Sequence, residues 1–578
     1  MQKGAPQTMD VTSIKSILHY LSNKILPSKF ETAQQPEQNT IQIAFRGIYS
    51  TTWIEVSWQA DYSRIIQIKK PEKIGSTSTL AKQLSYGLKY MALVAIKQEK
   101  FERVIKFEFA KKPGDEVSKY LIFELMGKHS NIFYLDKNLK IITAGRQIKS
   151  NQSSYRTIST GILYTPPPIN LKKEPNENES FESWKENLLI LPGSLKKSLI
   201  YNYQGVSPCL LNQISYIVNY EMKEYIMVDN IMDQNIELID ESNLRKIYTI
   251  WKRWIIRFNS NEFNFTTYNN DFYSVWFSLK ETNLQNKVDL VKGLDDYYDY
   301  HLKSKKINAL NLKINGMLFK QITIEKKNLN LQETLLKNSE NHEDLKSKAD
   351  NIFLTINLKK KDVILAEKLY KKSKKLKRAR DLIKSRVQIY KNKLLRLDEF
   401  GVMLENLNLL NIESLKKKID LLEELKEELK NEFNIYIRKN KDHRKNEKNI
   451  ASSPIKINSP SGILIQIGRN MRQNDLISFK LSNKQDLWFH AQESPGSHVV
   501  LKASVGSPTD DDIQITADIA SFFCKANGNV KVPINIVKVK DLQRISKAGL
   551  GCVSFKKSKI IWGNPNRGKI YIKNNSQS

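Results

Sequence analysis

At 578 residues the chain is too long for one hydrophobic core, so several folding units are expected. Hydrophobic residues at 40% and aromatics at 9% supply real cores and exclude a wholly disordered chain. Lys and Arg number 93 against 61 Asp and Glu, a net charge of +32, which favours polyanions such as RNA or DNA; the plainer reading is a lysine-rich solubility surface.

Apolar residues Ile14, Ile17, Leu18, Leu21 and Ile25 recur at helical spacing and predict a helix over 11–26. Strand-like runs follow at 40–45, 52–58 and 64–68, then a second helix over 80–90. Four more strand candidates, 103–109, 119–125, 131–136 and 141–144, come at meander spacing, so 9–168 reads as one α/β domain. Pro166-Pro167-Pro168 and the Asn-rich, acidic stretch to Ser180 mark a linker. Residues 181–290 read as all-helical, with turns at Leu191-Pro192-Gly193-Ser194 and Gly205-Val206-Ser207-Pro208. Helix, glycine turn, helix is how a helix–hairpin–helix module begins, and its turn amides suit phosphates. Ordinary helix connectors have the same spacing.

A heptad frame from Ile307 pairs Ile307/Leu310, Ile314/Met317, Gln321/Ile324, Asn328/Leu331, Leu335/Asn338 and His342/Leu345. A second arm repeats at sevens through Leu369, Leu376, Ile383, Tyr390 and Leu397. The patternless stretch 351–361 between them predicts an antiparallel hairpin. A helix through Leu415, Ile419, Leu422 and Leu429 closes this coiled-coil region, 297–436. A charged linker at 439–448, punctuated beyond by Pro454 and Pro460, leads to a second α/β domain at 455–570. Its strands are expected at 464–467, 486–490, 498–501, 532–539 and 551–555, with a helix at 512–525.

Three scattered cysteines, Cys209, Cys524 and Cys552, without a CxxC pair, exclude a disulfide framework and a four-cysteine zinc site. No apolar run reaches the roughly 18–20 residues of a membrane span. With no signal or transit peptide recognisable, a protein acting where it is made is expected: a bacterial cytoplasm, or a plastid stroma if organelle-encoded, and not a secreted protein.

The sharpest basic cluster lies on the second arm, where 371–396 holds twelve Lys or Arg and one acid, Asp381. Surface helices usually mix signs. Either this face is solvated, or it repels itself until a phosphate backbone neutralises Lys371, Lys374, Lys375, Lys377, Arg378 and Arg380. In the first domain Glu102-Arg103 precedes a strand, and Met126-Gly127-Lys128-His129-Ser130-Asn131 forms a turn whose side chains offer donors to phosphate or base edges. In the last domain Asp486, Trp488 and His490 are expected on one strand face, followed by Pro495-Gly496-Ser497-His498. That face suits base stacking, with His498 partly exposed beside Lys502 and Lys525; the alternative is that Trp488 is core. His490 and His498 lack a third His or Cys nearby, so neither a metal nor any other cofactor is expected.

These residues carry a resemblance. Trp-x-His before Pro-Gly-Ser-His, with Lys531-Val532-Pro533 further on, is similar to the C-terminal domain of the NFACT family. The Met-Gly-Lys-His-Ser-Asn turn resembles that family's N-terminal domain, once grouped as fibronectin-binding protein A. The resemblance covers nearly the whole chain and implies a multidomain α/β plus all-α architecture: N-terminal domain, helix–hairpin–helix, long antiparallel coiled coil, C-terminal α/β domain. It implies binding, as a monomer, to large ribosomal subunits obstructed by peptidyl-tRNA, through rRNA and ribosomal proteins near the stalk base. It further implies recruitment of aminoacyl-tRNA for template-free tailing, with alanine in bacterial-type members. The tRNA contacts it implies are Asp10, Glu102, Arg103, Met126, Gly127, Lys128, His129, Ser130 and Asn131. The family commonly has Asp-Arg where this chain has Glu102-Arg103, one methylene longer, and Met9-Asp10 resembles the usual start.

The rival class is DNA-binding. A similar domain order occurs in formamidopyrimidine-type DNA glycosylases, whose nucleophile is a Pro after the initiator Met and whose zinc finger needs four cysteines. Here Gln2 follows Met1, Asp10 follows Met9, and three cysteines are present. A non-enzymatic binding protein is therefore expected.

Overall fold

The computed structural model describes residues 6–74, 78–149, 151–153, 156–168, 172–190, 192–221, 231–268, 272–277, 289–354, 359–410, 412, 414–435, 452–545 and 549–575. The predicted linker at 439–448, Leu191, part of the linker after Pro168 and the centre of the break at 351–361 lie outside these residues. Two compact units divide the chain, Met1–Leu302 and Lys303–Ser578.

Helix α1 (Val11–Ile25) opens the first unit, and the expected stripe from Ile14 to Ile25 is its buried face. Asp10 caps it by accepting from the Ser13 amide at 2.8 Å. Strands β1 (Ser28–Glu37), β2 (Thr40–Arg46), β3 (Thr51–Ser57) and β4 (Arg64–Ile68) follow. Then come helix α2 (Thr79–Gly87) and strands β5 (Ala92–Gln98), β6 (Val104–Ala110), β7 (Lys119–Glu124), β8 (Asn131–Asp136) and β9 (Ile141–Ala144). They form one antiparallel nine-stranded sheet, order β4-β3-β2-β1-β5-β6-β7-β8-β9. Strands β1 and β5 are not among the elements expected from sequence, yet they join the two halves of the sheet through Ser28↔Leu93 and Lys29↔Ala92. The polar β1 sequence has no clean apolar alternation to reveal it.

Helices α3 (Phe181–Leu189), α4 (Leu195–Asn202), α5 (Pro208–Glu221) and α6 (Glu241–Ser260) pack around buried Trp184, Trp251 and Trp254. The expectation of an all-helical segment is corrected here by a hairpin, β10 (Thr266–Tyr268) with β11 (Phe272–Ser274). β-Branched and aromatic residues favour it, and Gln213 of α5 ties it down, donating to the Tyr273 carbonyl at 3.0 Å and accepting from the Trp276 indole at 2.6 Å. Helix α7 (Leu290–Glu340) begins in this unit, where the Tyr298 hydroxyl donates to the Gln7 carbonyl at 2.7 Å.

In the second unit the rest of α7 is followed by α8 (His342–Phe353), α9 (Lys360–Leu409) and α10 (Leu415–Glu432). Ion pairs Glu325–Lys393 at 3.3 Å, Glu333–Lys391 at 3.7 Å and Glu340–Arg380 at 3.9 Å run in opposite chain directions, so the arms are antiparallel. Their base is apolar, Ile307, Leu310, Ile314 and Leu318 against Leu397, Phe400 and Leu404. Beyond it the predicted frame fails until His342, an expected core position that is buried. Ile324, Leu331 and Leu335 are exposed, and the buried positions are Glu325, Gln332 and Ser339, one residue out of frame. The cause is a polar seam: Glu325 accepts from Gln321 at 2.9 Å and from Lys393 across the hairpin, so a carboxylate is held inside.

The C-terminal part comprises β12 (Ile455–Asn458), β13 (Leu464–Ile467), α11 (Met471–Phe479), β14 (Leu487–Ala491), β15 (Val499–Leu501) and α12 (Asp510–Phe522). It continues through β16 (Val532–Lys538), β17 (Leu542–Arg544), β18 (Val553–Phe555), β19 (Lys559–Gly563) and α13 (Pro565–Asn575). Six strands form an antiparallel sheet, order β12-β13-β15-β14-β16-β19, while β17 pairs with β18. Helix α12 packs on one face; α11 and the β17–β18 pair cover part of the other. Among the described residues no helix is long and apolar enough to cross a membrane.

Candidate nucleic-acid interface

The first unit brings Asp10, Glu102 and Arg103 together. Arg103 precedes β6, and its carbonyl accepts from the Leu125 amide at 3.0 Å, which places it at one end of the sheet. Glu102, Arg103, Lys172 and the Gly205-Val206-Ser207-Pro208 turn line a cleft of about 470 Å³. Gly205 adopts φ +71°, and a Cβ there would lie 3.0 Å from the Phe101 Cβ and carbonyl oxygen, so glycine is needed for the turn to close on the sheet domain. Ser207 caps α5 beside it, accepting from Leu210 at 3.1 Å. Lys172 falls in the predicted linker, and no motif marks its place in the wall. It is held by donation to the Ile200 carbonyl at 2.8 Å.

The charges in this cleft are frustrated. Asp10, an expected tRNA contact, is corrected to a buried cap of α1 that does not line the cleft, and its second carboxylate oxygen has no hydrogen-bond partner. Burial raises its pKa against the opposing pull of the Ser13 amide and Arg103. Burial likewise lowers that of Arg103, opposed by Asp10 and Glu102, and raises that of Glu102, opposed by Arg103 and Lys172. Cations with a helix N-terminus suit an anionic ligand. The buried Cys209 thiol is pushed well above its ordinary pKa, so it stays protonated.

The Gly127 turn lies at the same end of the sheet, because Val104↔Glu124 and Glu124↔Asn131 form one row across three strands. Gly127 has φ +59°, and Lys128 and His129 are exposed. Two expected contacts need correction. Asn131 is buried and occupied, donating to the Arg146 carbonyl and accepting from its amide, both at 2.8 Å. Ser130 is buried as well. These two residues build the turn; Lys128 and His129 face solvent, with Met126 half-buried.

On α9, Lys371, Lys374, Lys375, Lys377 and Arg378 are exposed. Arg380 is corrected to a seam position, in phase with Ser373 and Val387, where it faces Glu340.

The C-terminal motif is overturned as an exposed surface. Trp488 is 1% exposed and His498 4%. Their rings and that of His490 form a packed cluster: Trp488 stacks on His490 at 5.5 Å and meets His498 edge-on at 4.9 Å. His498 bonds Ser478 at 2.8 Å, and its amide donates to Asn474 at 3.1 Å. Asp486 is buried in an ion pair with Lys502 at 3.0 Å and accepts from the Asn483 and Ser504 amides. Lys525 pairs with Asp398 at 2.7 Å, so the expected basic surface around His498 is absent. Pro495, Gly496 and Ser497 dock on the end of α12: the Pro495 carbonyl accepts from Lys525 at 2.8 Å, and the Ser497 amide donates to Phe523 at 3.0 Å. A Cβ on Gly496 would lie 3.0 Å from the Cys524 Cβ. The motif is a folding signature because α11 and the β17–β18 pair close over it. Among the described residues no cluster of three His, Cys, Asp or Glu is placed to hold a metal ion.

These domains define the class: a strongly basic multidomain protein with an α/β sheet domain, helices, a long helical hairpin and a second α/β domain. The chain belongs to the NFACT family. The model of the NFACT N-terminal and middle domains matches residues 10–449, and that of the NFACT protein RNA binding domain matches 455–557. Relatives named Rqc2 homolog RqcH include one from Streptococcus suis (strain 05ZYH33), 23% identical, covering 96% of this chain and 98% of that one. Another, from Bacillus subtilis (strain 168), is 22% identical, covering 96% and 97%. Solved structures of the N- and C-terminal parts of the fibronectin/fibrinogen-binding protein from Streptococcus suis align with TM-scores of 0.38 and 0.37, at 21% and 24% identity. They cover 50% and 46% of this chain, and 99% and 98% of theirs.

Proposed function

We propose that this chain is a ribosome-associated quality-control factor. It binds obstructed large subunits carrying peptidyl-tRNA and recruits tRNA, alanyl-tRNA in this reading, for template-free C-terminal tailing of the stalled chain. The observation that carries the reading is end-to-end similarity to proteins named Rqc2 homolog RqcH, with both NFACT family models in order. The cleft around Arg103 and Lys172, with exposed Lys128 and His129 at the same end of the sheet, is assigned to tRNA. The exposed cations of α9 are assigned to rRNA. The protein supplies positioning and charge, and the subunit supplies the chemistry of peptide transfer. The test is to purify the tagged protein from cells and sequence the bound RNA. Large-subunit rRNA with one dominant tRNA is the expected result; DNA or no nucleic acid overturns it. Arg103→Ala should abolish tailing and leave subunit binding intact, and joint loss of both in a folded variant would refute this division of labour.

A further inference from the structure

With Trp488 and His498 sealed, the same face of the C-terminal sheet still has an open end. Cross-strand rows on that face run Trp488–Val537, then His490–Asn535–Ile560, then Pro533–Trp562. The first row is covered by α11 and the β17–β18 pair. The other two run out to the edge strand β19, where Ile560 is 48% and Trp562 58% exposed. Of the chain's eight tryptophans, Trp562 alone is exposed.

Single exposed apolar side chains are ordinary, but this pair sits in uncompensated positive charge. From Lys531 to Gly563 the sequence has eight Lys or Arg and one acid, Asp541. Lys531, Lys556, Lys557 and Lys559 are exposed, and among the described residues none of them forms an ion pair. Helix α12 packs on the opposite face, where its buried carboxylates are occupied, Asp512 by Ser461 and Thr509, Asp518 by Arg567 and Asn564, while Asp510 and Asp511 in its first turn are exposed. Asn535 on the middle row is buried and already accepts from Ser558 at 3.0 Å, which leaves the exposed ring and the lysines to make the contacts.

We propose that this open edge binds single-stranded RNA: Trp562 stacks a base beside Ile560, and Lys531, Lys556 and Lys557 take flanking phosphates. Flat aromatic surface among unpaired cations matches that ligand, because every base has a stackable face and every linkage a charge. This inference rests on the RNA-binding reading above and locates it at residues outside the Trp-His motif.

The experiment is titration of the full-length chain with a single-stranded RNA of about ten nucleotides, followed by anisotropy and tryptophan fluorescence. Binding should quench the exposed tryptophan. Trp562→Ala should weaken affinity about fivefold or more, and Trp562→Phe should retain it within about threefold, since stacking survives. Lys556→Gln with Lys557→Gln should flatten the salt dependence by about two phosphate contacts. Unchanged affinity in a normally melting Trp562→Ala variant would overturn this surface and leave the broader RNA reading standing. Failure of the unmodified chain to bind either the oligonucleotide or large subunits would overturn both. An acidic peptide whose binding needs Trp562, with RNA binding indifferent to it, would reassign the surface to a protein partner.

Discussion

An imidazole taken out of water loses the solvation of its charged form, and burial holds both His490 and His498 neutral. It pushes His490 down to about 4, and the neighbouring His490 adds to the stronger depression at His498. The unfolded chain protonates these rings near 6.5, whereas folded His490 resists until about 4. Between those values the unfolded state binds more protons, so stability is present above 6.5 and is lost as pH falls. Hydrogen-exchange protection of the β14 and β15 amides should therefore decline between about pH 6.5 and about pH 4. His498→Gln should shrink that decline, and an equal decline in the variant would sink the explanation. Trp488→Ala should cost roughly 3–5 kcal/mol, as for any large core residue. At this scale the sequence named the right residue types but could not tell which side of the surface they occupy. Trp488, His498 and Asn131 were legible as a motif, yet the groups that bury them, α11 and the β17–β18 pair for the first two and the Arg146 backbone for the third, lie outside it. Gly205 shows the opposite case: its turn was visible, and only the structure shows Phe101 against it. Gly205→Ala should destabilise the first unit by at least about 1 kcal/mol in thermal melts, because φ +71° disfavours a side chain.

At the scale of elements, the helical hairpin separates two uses of charge. Inside the seam Glu325 has its lysine, whereas the Gln332 side-chain oxygen is buried without a partner. Gln332→Leu should therefore stabilise the hairpin by about 1 kcal/mol in denaturant unfolding, since an unsatisfied amide is exchanged for apolar contact. A loss of stability would mean that the seam depends on its polar identity. The two long helices and their antiparallel pairing were legible from repeated sevens. The frame of the first arm was not, because a seam of Glu, Gln and Ser is invisible to a rule that searches for apolar letters. The meander of the first domain was legible for the same reason in reverse: β6, β7 and β8 alternate or saturate with apolar residues, whereas β1 does not.

Across the whole molecule, a net charge of +32 makes some salt-sensitive binding to polyanions unavoidable, so salt sensitivity alone identifies nothing. Assignment of that charge to particular contacts is what can be tested. Arg103 belongs to the first compact unit, and Lys374, Lys375, Lys377 and Arg378 belong to the second, with no partner in common. Mutations without shared partners add within about 0.5 kcal/mol. Changing the four α9 cations to Gln should lower the salt slope of the proposed subunit binding by up to about 0.9 for each phosphate that is no longer neutralised. The melting temperature should barely move, because these side chains are exposed. Arg103→Ala should leave that slope unchanged and act on tRNA retention alone. The combined variant should show both defects at their separate sizes. A combined defect much larger than the sum would mean that tRNA and the α9 face support one another on the subunit; an unaltered slope in the α9 variant would make that face a solvated one.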